Sequence, residues 1–84
     1  MKATKVLDNI GDRAVQHVYK LEPPMGDAEF VVVSACNVMF SGPETYIFKS
    51  TETGEILDWT EMNGSFKGGL DHDRALRNAG YEVV

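Results

Sequence analysis

The segment Glu29 to Phe40 constrains the fold more than any other part of this chain. Phe30, Val32, Ser34, Cys36, Val38 and Phe40 alternate with Val31, Val33, Ala35, Asn37 and Met39, so a strand here is apolar on both faces. Such a strand belongs inside a sheet, with material packed against both of its sides. Ser34 and Asn37 interrupt the run, which is too short to cross a bilayer. The chain therefore reads as a sheet protein, and its 84 residues read as one domain, 1–84.

The flanking sequence supplies partners for that strand. Val15, His17, Tyr19 and Leu21 alternate with Gln16, Val18 and Lys20, which predicts a strand over 15–21 that ends at Pro23-Pro24. After a loop at 41–44, residues 46–51 and 55–60 read as a hairpin around Glu52-Thr53-Gly54. That register sets Thr51 against Glu55, Lys49 against Leu57 and Ile47 against Trp59. Residues 64–69 read as a flexible, glycine-rich link. A helix over 72–79 follows, with Asp71 as N-cap, Leu70 poised to staple onto Ala75, and Gly80 as the stop. Residues 81–84 return as a strand, and Thr4, Val6, Leu7 and Ile10 suggest a short N-terminal helix over 5–10, with an irregular arm as the alternative. The expected fold class is α+β: an antiparallel sheet of four to five strands (15–21, 29–40, 46–51, 55–60, 81–84) with the helix across one face.

Charge and cysteine content narrow the function. The net charge is −5, and Lys and Arg are few and scattered, which argues against nucleic acid as a partner. Most of the excess lies beyond residue 51, where Glu52, Glu55, Asp58, Glu61, Asp71, Asp73 and Glu82 face only Lys67, Arg74 and Arg77. The lone Cys36 excludes an intrachain disulfide and points to a reducing, cytoplasmic setting. The first residues lack the apolar core of a secretory signal, and no membrane partner is expected.

Candidate chemistry is sparse. A reactive Cys36 needs a base, and His17 is the nearest candidate. Pairing Leu21 with Glu29 sets His17 opposite Val33, on the other side from Cys36; a one-residue slip sets it opposite Ser34, on the cysteine's side. Asp71-His72-Asp73 resembles a ligand run, but consecutive helical side chains diverge by about 100° and cannot converge on one ion. His72 with the distant His17 remains a conceivable ligand pair. The glycine-rich link lacks the Lys-Ser or Lys-Thr of a phosphate loop. Glu55, Asp58 and Glu61 sit on a hairpin that faces water, a poor setting for paired acid and base. No catalytic residue, metal ligand set or cofactor is assigned, and the chain reads as a non-enzyme.

The aromatic residues point to a surface instead. Tyr46 and Phe48 share one face of the hairpin with Ile56, while Ile47, Leu57 and Trp59 share the other. One helix covers one side of a sheet, so part of this apolar area stays exposed unless the N-terminal arm or another molecule covers it. Trp59, Tyr46 and Phe48 are the expected protein-binding residues.

The segments Phe40-Ser41-Gly42-Pro43-Glu44-Thr45-Tyr46-Ile47-Phe48 and Gly69 to Val83 resemble small proteins encoded by mycobacteriophages and related actinobacterial phages, and the likeness extends over most of the chain. The resemblance implies an intracellular phage protein made in a bacterial host and binding a host factor; the uncovered apolar face makes a second copy of the chain the other expected partner. Two alternatives stand beside this reading: a small enzyme or ligand-binding domain using His17, Cys36 or His72, and a virion structural component.

Overall fold

The computed structural model describes residues 1–12 and 14–84. Its centre is a three-strand antiparallel sheet formed by β2 (Val15–Met25), β3 (Ala28–Val38) and β4 (Gly42–Ser50), with β3 in the middle as its two-sided apolar pattern requires. β1 (Lys2–Leu7) extends the sheet beyond β2, and β5 (Ile56–Asp58) extends it beyond β4. The short β6 (Phe66–Lys67) pairs with the start of β4 through Glu44 and Thr45. Helix α1 (His72–Asn78) precedes β7 (Glu82–Val83), which pairs in parallel with β1. The strand order is β5-β4-β3-β2-β1-β7, and every pair except β1–β7 is antiparallel.

The architecture is sheet-rich with a late helix, as the sequence pattern indicates, but the described residues hold seven strands rather than four or five. Three departures stand out, and two of them, β1 and β6, supply the additional strands. Residues 2–7 form β1 instead of a helix. Their backbone groups find partners on β2 and β7, and Ala3 is fully buried, whereas a helix this short has little stability of its own. Residues 42–45 join β4 because the β3–β4 turn is tight, with Val38 paired to Gly42. The link at 64–69 is not free: β6 docks on β4, and Gly68 N–H donates to the Pro43 carbonyl at 2.8 Å.

β2 also runs past its prolines to Met25. Pairing with β1 ends at Glu22, and the β2–β3 register shifts between Lys20 and Met25, so Pro23 and Pro24 occupy a stretch where the ladder is already interrupted. The Glu22–Pro23 peptide bond is cis. Helix α1 agrees with expectation to within a residue. Asp71 Oδ1 accepts from the Arg74 amide at 3.0 Å, and Ala79 is the C-cap. Leu70 stays half exposed, so the expected staple onto Ala75 contributes little cover.

Two rows of paired residues define the faces. His17, Val33 and Ile47 lie in line on the helix side; Val18, Val32 and Phe48 lie in line on the other. The helix side carries the main core: Leu76 and Ala75 of α1 and Tyr81 pack with Ala3, Tyr19, Leu21, Val31, Val33 and Ile47. Full burial of a side chain such as Leu76 or Ile47 contributes about 2 kcal/mol. On the opposite face Val18 and Val32 are also fully buried. There the β4–β5 turn curls back, and a methyl group on Gly54 would stand 2.1 Å from Ile10 Cδ1 and 3.1 Å from Val18 Cγ2.

Candidate functional site

Two groups of residues stand out, one on each side of the sheet. On the face without the helix, Phe48 is flanked by Tyr46 at 6.0 Å and Trp59 at 5.3 Å between ring centres, with planes tilted by 41° and 59°. Phe48 is buried and Tyr46 half-buried, while Trp59 is 71% exposed. These spacings and tilts fall in the range of favourable aromatic contacts. The cluster is thus anchored at its centre and open to solvent at the indole.

Alternation along an ideal hairpin sends Trp59 to the other side from Phe48, and the structure corrects that assignment. Thr51 N–H does donate to the Glu55 carbonyl at 2.9 Å, as the turn requires. Beyond it the register shifts: Ser50 pairs with Ile56, but Lys49 pairs with Asp58 rather than Leu57. Ile47 does not meet Trp59, because its carbonyl accepts from the Met62 amide. One extra residue in a strand reverses the faces that follow, which brings Trp59 over Phe48. Periodicity alone could not locate this bulge.

Glu44 lies buried beside the cluster, with Lys67 Nζ 3.8 Å from its Oε2. Hydrogen bonding of the Tyr46 hydroxyl to Glu44, reinforced by desolvation, pushes the phenol up to about 12. At the far end of the same strand pair, Met39 and Phe40 project from the β3–β4 turn, and Phe40 is fully exposed with φ +73°.

On the helix side, the observed register sets His17 opposite Val33 and so away from Cys36, whose alternation places it on the other face. The structure brings His17 to His72 instead, with ring centres 4.3 Å apart. His17 Nδ1 lies 2.9 Å from Asp8 Oδ1 and 2.9 Å from the Asn9 amide; His72 Nε2 lies 2.8 Å from the Val15 carbonyl. Burial lowers the His17 pKa, with the neighbouring His72 and Lys5 acting in the same direction against Asp8 and Asp73. Tyr19 packs edge-on to His17, and its own burial pushes its phenol up to about 12.

Among the described residues no cavity encloses these side chains, no group of three or more His, Cys, Asp or Glu is placed to hold a metal, and no helix is long and apolar enough to cross a membrane. No protein-family model matches the chain, and neither does any curated protein or solved structure.

Proposed function

We propose that this protein acts by association rather than by chemistry, docking a protein partner on the sheet face opposite α1 with Trp59 as the anchor and Tyr46 and Phe48 beside it. The observation that carries this reading is the pairing of exposure with support at Trp59: the indole is 71% exposed yet rests on Phe48 at 5.3 Å. A rigidly backed, accessible indole loses little conformational freedom on binding, which is the character of an interface hot spot. The partner is a host protein in the bacterial cytoplasm, the context that the likeness to phage proteins suggests.

Trp59 is the single tryptophan, so its fluorescence reports on the anchor directly. Affinity capture of the tagged protein from host cells, run in parallel with Trp59→Ala, tests the reading. Hot-spot truncation costs about 2 kcal/mol or more, roughly 30-fold in affinity. The partner retained by the unmodified protein should therefore be lost from the variant, and its addition should shift the indole emission to the blue. Equal capture by both proteins would show that the docking surface lies elsewhere. Trp59→Ala also removes the contact with Phe48 and should cost about 1 kcal/mol of stability, leaving the fold intact for the comparison.

A further inference from the structure

The Nδ1 atom of His17 has two partners that require opposite states of the ring. The Asn9 N–H donates to it at 2.9 Å, a bond that needs a bare Nδ1 with its lone pair free. Asp8 Oδ1 lies at the same distance from the same atom, and a carboxylate only accepts, so this contact needs a proton on Nδ1. One atom cannot serve both at once. The charge of the ring decides which partner it keeps.

We propose that His17 is a proton-operated latch on the loop between β1 and β2, holding the Asn9 amide when neutral and exchanging it for Asp8 when charged. The neutral ring carries its proton on Nε2, and the Asp8 side chain, 73% exposed, turns to water. The charged ring donates from Nδ1 to Asp8, and the Asn9 amide loses its acceptor. The groups around the ring set the balance between these states. Burial, the His72 ring 4.3 Å away on α1, and Lys5 of β1 all disfavour a charged His17. Asp8 of the loop and Asp73 of α1 favour it. Tyr19, edge-on in β2, holds its proton up to about 12 and stays neutral throughout. The outcome is a pKa below the ordinary 6.5, so the loop is latched at neutral pH and released in mild acid.

Release is felt on the far side of the sheet as well. Asn9 has a left-handed backbone, φ +42°, a conformation that costs energy for any residue but glycine. The next residue, Ile10, donates to the Gln16 carbonyl at 2.8 Å and sets its side chain against Gly54 of the β4–β5 turn. Without the bond to His17, Asn9 gains by leaving this conformation, and the turn of its backbone draws Ile10 off Gly54.

Nitrogen-15 NMR of the full chain, from about pH 8 down to about pH 5, tests the latch across the range where histidine titrates. At the upper end the His17 ring should be the Nε2–H tautomer, with the Asn9 amide protected from hydrogen exchange. On acidification the protection factor of Asn9 should fall about fivefold, the worth of one hydrogen bond. The His17 ring, Asn9 and Gly54 should share one midpoint. Asp8→Asn, at an exposed position, should lower that midpoint, and His72→Gln should raise it. His17→Phe should leave Asn9 unprotected at every pH; if that variant does not fold, the other two still decide. An Nδ1–H tautomer at about pH 8, or an Asn9 amide equally protected throughout, would overturn the proposal. So would a midpoint unmoved by Asp8→Asn, or a Gly54 that stays fixed while Asn9 moves.

Discussion

At Gly64 a methyl group would stand 2.4 Å from the Ala75 carbonyl oxygen and 2.9 Å from the Ala79 Cβ, and the residue's φ is +103°. The helix rests directly on this glycine, so a side chain must either displace α1 or strain the loop. Gly64→Ala should lower stability by about 2 kcal/mol or more, with a melting temperature reduced by roughly 10 °C, measurable by thermal denaturation. An unchanged melting temperature would mean that α1 does not sit against the loop. Phe40 presents the opposite case. It occupies the third position of a turn closed by Ser41 N–H to the Val38 carbonyl, with φ +73°, and its fully exposed ring gains no burial in return. That position suits glycine. Phe40→Gly should raise stability by about 0.5 kcal/mol in urea denaturation, relief of the backbone strain outweighing the added freedom of the unfolded chain. A loss would show that Phe40 packs in a way its exposure does not reveal.

Among the elements, α1 is the one whose ends the sequence announces most clearly. Asp71 caps the start, and Gly80 follows the C-cap with φ +93°. Gly80 N–H donates to the Arg77 carbonyl and Tyr81 N–H to the Leu76 carbonyl, both at 2.9 Å, which closes the last turn as a Schellman motif. Tyr81 and Leu76 then meet in the core. A helix of seven residues cannot persist alone, so these caps and the core contact sustain it together. Asp71→Ala and Gly80→Ala should each cost about 1 kcal/mol. Because both act on one helix, the double variant should fall short of the sum, as a denaturation cycle would show. The hairpin after β4 was legible only at its turn. Glu52-Thr53-Gly54 and the Thr51–Glu55 pair follow from local backbone chemistry, whereas the register shift between Lys49 and Ser50 accompanies a tertiary contact, the close approach of Gly54 to Ile10 and Val18.

For the whole molecule, the two sheet faces act as separate environments, and the tyrosines report on both. Tyr19 and Tyr81 belong to the helix-side core and Tyr46 to the aromatic cluster, and all three phenols are shifted upward. Burial causes the shift at Tyr19 and Tyr81, and hydrogen bonding to Glu44 leads at Tyr46. Phenols that hold their protons more tightly when folded contribute stability that is complete below pH 10 and is lost as the pH rises toward about 12. Ultraviolet titration should therefore find no tyrosine ionising near pH 10 in the folded protein and all three doing so in denaturant. A folded-state tyrosine with an ordinary midpoint would contradict this placement.

The sequence by itself determined what depends on neighbours a few residues apart: the two-sided alternation that makes β3 central, the turn at 52–54, and both ends of α1. It also restricted His17 to two registers, of which tertiary pairing selected the one opposite Val33. Only the folded sheet decided that residues 2–7 and 66–67 are strands, because their backbone groups gain partners once the central strands present open edges. The same holds for the parallel pairing of β7 with β1, the return of Trp59 to Phe48, and the meeting of His17 with His72. Periodicity records which side a residue favours. Which distant residue it meets depends on registers, bulges and loop paths that are fixed only when the whole chain closes on its core.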